Sequence, residues 1–218
     1  MTLIQFGKSN YLRNETFGIY HAEYRGMRYY QENPQCNDSL LCVNMVKNDT
    51  YDCPAEYLPA WENMITNIVL GDFIEIAEYD PGITVCGVPR SKRDAHYSHV
   101  QRGLKRAFRA AVGMMNGRLV DGLDYIMRHT DTCTTHRMTR YGNYGGSGES
   151  PRPGLINDTC TISPLVRGRE IVLVDDIYTP GVGIDEDCIQ ALYDHGAKEV
   201  LFYAIGKARG NGQGFRFV

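Results

Sequence analysis

The chain has 218 residues, 43% hydrophobic and 22% charged, enough to bury a sizeable core in one large domain or two small ones. Lys and Arg total 23 against 26 Asp and Glu, a formal charge of -3 with a pI near 6.1 and mean hydropathy of -0.36, which excludes a generically basic nucleic-acid binder but leaves room for a local basic patch. No run of about 18 apolar residues marks a membrane span, and Met1–Gly7 has no basic stretch leading into an apolar core, so the expectation is a soluble, cytoplasmic chain without a membrane partner.

In chain order, Phe17–Tyr30 mixes aromatic, basic and glycine residues at strand-like spacing, and Asn33–Ser39 carries turn chemistry. The apolar groups Trp61, Met64, Ile65, Ile68 and Val69 predict a helix over Leu58–Leu70, with Pro59 suited to its first turn. Asp80-Pro81-Gly82 is a turn, Ile83–Val88 a buried strand, Pro89–Ser98 a polar loop, and Val100–Met115 a basic amphipathic helix. A short strand is expected over Leu123–Met127, and a glycine-rich loop over Tyr141–Pro153. Ile171–Val174 is a continuous apolar strand, Asp185–His195 a helix closed by Gly196, and Val200–Ile205 a strand. Strand, loop, helix and strand make a parallel crossover unit. The fold class expected is therefore α/β with a doubly wound, mainly parallel sheet over residues 81–218, preceded by an N-terminal extension or hood over residues 1–80.

Cysteines at 36, 42, 53, 86, 133, 160 and 188 are odd in number and widely spaced, which argues against a disulfide framework. The four Asn-x-Ser/Thr triplets read as chance in a chain without a secretion signal. Many of the 15 tyrosines fall before residue 60 and read as large half-buried packing groups, with an aromatic surface for a base or a partner as the alternative.

The most informative stretch runs from Ile171 to Gly183. Four apolar residues bury a strand, Asp175 and Asp176 follow at its expected carboxyl end, and a loop with Thr179, Gly181 and Gly183 leads into a helix. Such a loop aims backbone N–H groups and the positive end of the helix at a phosphate, while the acidic pair suits sugar hydroxyls and a cationic reaction centre. Together they describe a site for a sugar phosphate.

This segment resembles the phosphoribosyl-pyrophosphate (PRPP) motif of type I phosphoribosyltransferases, and the stretch from Val88 to Ala208 is most similar to their ComF-like subgroup. The resemblance implies that Asp175 and Asp176 clamp the ribose hydroxyls and act with Mg²⁺ held through those hydroxyls or water. It implies that Thr179, Gly181, Val182 and Gly183 hold the 5-phosphate, and that Arg90, Ser91, Lys92 and Arg93 hold pyrophosphate. The basic cluster of Arg128, His129, His136, Arg137 and Arg140 is placed like the family's flexible loop, with Arg128 and Arg137 as its catalytic cations. The implied reaction transfers a 5-phosphoribosyl group from PRPP to a nitrogen acceptor, with a homodimer as the family's common assembly. Pro180 and Val182-Gly183 depart from the family pattern, removing one N–H donor and one hydroxyl. Those departures favour an alternative, a PRPP- or nucleotide-binding regulator of the same fold; a hydrolase is a further one. The subgroup's paired Cys-x-x-Cys zinc segment is missing here, and His129, Cys133, His136 and Cys160 read as loop residues rather than zinc ligands. No P-loop or Gly-x-Ser-x-Gly elbow is present, and Gly210, Gly212 and Gly214 read as part of a tail.

Overall fold

The structure is a computed structural model that describes residues 1–25, 29, 40–47, 55–134 and 148–209. Its main sheet is built from β1 (Thr2–Phe6), β2 (Thr16–Tyr24), β3 (Thr84–Gly87), β4 (Val120–Asp121), β7 (Glu170–Tyr178) and β8 (Glu199–Ala208), in the order β1-β2-β8-β7-β3-β4. The β1–β2 pair is antiparallel and every other neighbouring pair in this sheet is parallel. A separate antiparallel ribbon pairs β5 (Ile126–Arg128) with β6 (Cys160–Ile162). The helices are α1 (Leu41–Met45), α2 (Leu58–Tyr79), α3 (Gly103–Met114), α4 (Leu155–Thr159) and α5 (Ile184–Asp194). This is an α/β fold with a mixed sheet of mostly parallel strands. Among the described residues no helix is long and apolar enough to cross a membrane.

Both faces of the sheet are covered, as continuous apolar runs in parallel strands require. Val172, Val174, Tyr203 and Ile205 point to one face and pack with α1, α2 and α3; Phe73 and Phe108 lie with ring centroids 5.8 and 6.4 Å from that of Tyr203. Ile171, Leu173, Phe202 and Ala204 alternate to the other face and pack with Ile189 and Leu192 of α5 and Ile156 of α4. Because β2 pairs with β8, residues 1–24 contribute strands to the same sheet as the later crossover units.

Several elements run further than their apolar runs indicate. Helix α2 continues to Tyr79 because Phe73, Ile76 and Ala77 prolong the buried stripe beyond Leu70. Strand β7 continues past Val174 to Tyr178, since β8 keeps offering pairing positions: Asp175 lies opposite Ala204, and Tyr178 opposite Lys207. The strand expected over Leu123–Met127 is displaced to Ile126–Arg128. Asp121 Oδ1 accepts the Leu123 N–H at 3.0 Å and makes a turn there instead. Gly196, at φ +89°, follows α5 as the expected left-handed cap.

Candidate functional site

The chain leaves β3 through α3 to β4 on one side and leaves β7 through α5 to β8 on the other. The carboxyl ends of β3 and β7 therefore flank the point where the winding reverses, the place where open α/β sheets bind ligands. A cleft of about 80 Å³ opens there. Its floor is apolar, from Leu104, Phe108, Leu123, Ile126 and Val174, and its rim is charged, from Lys47, Arg90, Arg128, Asp175 and Asp176.

Arg90 leaves the end of β3 and turns into this cleft. Its guanidinium lies over the Tyr97 ring, 3.9 Å from the centroid, and donates to the carbonyls of Gln101 at 2.5 Å and Lys47 at 3.1 Å. Arg128, the last residue of β5, is 9% exposed; it donates to the Arg90 carbonyl and, at 2.6 Å, to Thr159 Oγ1. Neither arginine has a carboxylate partner among the described residues. The rest of the expected basic loop turns elsewhere. Lys92 donates to the Thr132 carbonyl at 2.9 Å, Arg93 pairs with Asp131, and Ser91 Oγ lies 3.3 Å from Thr134 Oγ1. The cluster is thus divided, with Arg90 facing the cleft and Ser91, Lys92 and Arg93 packing on residues 131–134.

The acidic pair lies inside β7 rather than beyond it; its two carboxyl groups stay hydrogen-bonded to each other, and each has a further partner of its own. Asp176, 3% exposed, forms an ion pair with Lys47, the second residue after α1. Burial by itself raises Asp176, yet the Lys47 charge and hydrogen bonds from Asp175, Lys47 and Ile177 hold its carboxyl well below the usual range. Asp175 faces Asp185 in the first turn of α5. Burial, then the neighbouring Asp176 and Asp185 charges, push Asp175 well above the usual carboxylate range. Asp185, hydrogen-bonded to Asp175, is pushed up to about 7, first by burial and then by Glu186. These surroundings favour the charged form of Asp176 and the neutral form of Asp175. Mg²⁺ prefers carboxylate oxygens that keep its remaining coordination open to water. Here one carboxylate is occupied by an ammonium and the other by a carboxyl partner. No cluster of three His, Cys, Asp or Glu side chains among the described residues suits a metal. The acidic pair does not fit a directly held divalent ion.

No protein-family model matches the chain, and no curated protein is similar to it.

The loop Thr179–Gly183 lies outside the cleft lining. Thr179 and Gly181 are exposed, and Gly181 and Gly183 adopt φ of +87° and +83°. Gly183 is the N-cap of α5, and a Cβ placed on it would come within 2.5 Å of the Tyr11 ring. Tyr11 belongs to the β1–β2 connection, which is fastened to α5 by Arg13: its N–H donates to Gln190 Oε1 at 2.8 Å and its side chain pairs with Asp194. An aromatic ring therefore covers Gly183, where the sequence places a phosphate contact. Asp187, 2% exposed, accepts from Gly154 N at 2.6 Å and Ile156 N at 2.8 Å, tying α4 to α5 beneath Arg128 and Thr159.

Arg137, with His136 and Arg140, lies outside the described residues. His129 and Cys133 are not on a helix: His129 Nδ1 lies 2.9 Å from Thr130 Oγ1, and Cys133 Sγ lies 3.0 Å from the Gly148 carbonyl. Sequence reasoning passed over Lys47, Tyr97, Asp185 and Tyr11. Each reaches its partner across a long sequence separation or a fold in the backbone, and none belongs to a local pattern.

Proposed function

We propose that the cleft is a sugar-phosphate site, and that the chain binds PRPP and transfers its 5-phosphoribosyl group to a nitrogen acceptor, a nucleobase or amine, forming a nucleotide or its amine counterpart and releasing pyrophosphate. The observation that carries this reading is Arg128: a buried guanidinium, beside Arg90, without a carboxylate partner among the described residues. A buried cation is costly without a counter-charge, and a bound anion supplies one. In the proposed reaction the acceptor lone pair forms a C–N bond at the sugar's C1 as the C1–O bond breaks, its electrons leaving with pyrophosphate, and the nitrogen's proton passes to solvent or to the departing pyrophosphate. Arg90 and Arg128 offset that charge, and Asp175 and Asp176 orient the sugar hydroxyls. Mg²⁺ is implied by the family resemblance alone.

Calorimetric titration with PRPP tests the reading. Micromolar binding that weakens at least tenfold in Arg128→Met supports it, and a pyrophosphate-release screen over bases and amines then identifies the acceptor. A natural chain that does not bind PRPP or nucleotides refutes it. The Tyr11 ring over Gly183 and the Asp176–Lys47 ion pair favour a second reading, a non-catalytic regulator that senses the same ligand. Such a protein binds PRPP but releases no pyrophosphate with any acceptor.

A further inference from the structure

We propose that the Lys47 ammonium is the resident counter-cation of the acidic pair, standing where a divalent metal would otherwise sit, so that the cleft engages its anionic ligand without Mg²⁺. The proposal rests on reading this cleft as the ligand site.

Lys47 is fixed at both of its polar ends. Its ammonium pairs with Asp176 and its carbonyl accepts from Arg90 Nη2 at 3.1 Å, so one residue braces the carboxylate wall and the arginine wall together. Its backbone is anchored from behind, since Val43 and Val46 are buried in the core at 1% and 0% exposure. The fit there is close: a Cβ on Gly103 would meet that of Val46 at 3.0 Å. Lys47 itself is partly open to the cleft, with its side chain 23% exposed against 4% for Asp176. The ammonium therefore lines the cleft and can donate to an incoming oxygen while keeping its carboxylate.

Charge arithmetic points the same way. Asp176 already has the Lys47 ammonium as its counter-charge, and Asp175 is engaged with Asp185. A divalent ion entering beside Asp176 would face the ammonium at close range and compete with it for the same carboxylate. An ammonium and a hydrated metal both supply positive charge to sugar and phosphate oxygens; the ammonium here comes with the fold.

Metal alone is the direct probe. Mn²⁺ binding to the full chain is followed by the EPR signal of free Mn²⁺, for the natural protein, Asp176→Asn, Lys47→Gln, Lys47→Arg and Lys47→Gln/Asp176→Asn. The expected result is no saturable site in the natural chain or in Lys47→Arg. A site at least tenfold tighter should appear in Lys47→Gln and be lost again in the double variant. A saturable Mn²⁺ site in the natural chain that Asp176→Asn abolishes would overturn the proposal, and this comparison does not depend on how Lys47→Gln folds. A folded Lys47→Gln, judged by circular dichroism, that gains no Mn²⁺ site would also overturn it. Because these measurements use no sugar phosphate, failure of PRPP to bind refutes the functional reading separately.

Discussion

Substituting Gly183 by Ala tests whether the β1–β2 connection closes over the start of α5. Two physical terms oppose the methyl group. At φ +83° an L side chain incurs a left-handed penalty of roughly 1 kcal/mol. The new Cβ would also stand 2.5–2.8 Å from three ring carbons of Tyr11, and overpacking of this kind costs roughly 2 kcal/mol. Gly183→Ala should therefore destabilise the chain by about 3 kcal/mol, read from urea unfolding as a lower midpoint with an unchanged slope. The two terms separate in a double-mutant cycle with Tyr11→Ala. Once the ring is gone only the backbone term remains, so the same substitution should cost about 1 kcal/mol and the coupling should be about 2 kcal/mol. A cycle that closes additively would refute the argument, because it would mean that Tyr11 does not occupy the space above Gly183. A positive coupling together with tighter PRPP binding in Tyr11→Ala would identify the ring as an obstacle to the phosphate loop.

Other residues offer independent tests. His21 Nδ1 lies 3.0 Å from Asp72 Oδ2, which also accepts from the Tyr203 hydroxyl at 2.7 Å; that hydrogen bond raises His21 above its usual 6.5, against a smaller opposing effect of burial. Since the folded value is the higher, this contribution to stability is complete below pH 6.5 and is lost as pH rises through the folded value; His21→Gln should flatten that decline in thermal unfolding measured across pH. Arg128→Met removes a buried cation without a carboxylate partner among the described residues, so it should raise unfolding stability by about 1 kcal/mol while weakening pyrophosphate binding. Lower stability together with undiminished binding would place its role in packing. Asp187→Ala leaves the Gly154 and Ile156 N–H groups without their acceptor and should cost about 2 kcal/mol, with faster hydrogen exchange at Ile156 as the local readout.

How far the sequence reaches depends on the range of the interactions involved. The buried strands around Ile83 and Ile171, the helices after Leu58 and Gly183, and the cap at Gly196 follow from periodicity and from glycine's freedom, which act within a few residues. The crossover pattern likewise gives the parallel pairing and, with it, the position of a crevice beyond β3 and β7. The family resemblance puts Arg90, Ser91, Lys92 and Arg93 together in that crevice, and of the four only Arg90 lines it. The ends of strands were less accessible. Asp175 and Asp176 look like a strand terminus, but β8 continues to supply backbone partners opposite them, and pairing rather than hydropathy keeps them extended.

The amino-acid sequence by itself determined an α/β chain, its principal strands and helices, and a short set of charged residues beside one crossover. Tertiary structure alone decided which of those charges face one another. It brought Lys47 against Asp176 across 129 positions, set Asp185 against Asp175, laid Tyr11 over Gly183, and buried Arg128 beside Arg90 while turning Lys92 and Arg93 away. The physical reason is that hydropathy and turn chemistry are local, whereas the state of a charge depends on burial and on neighbours that the fold delivers from distant parts of the chain.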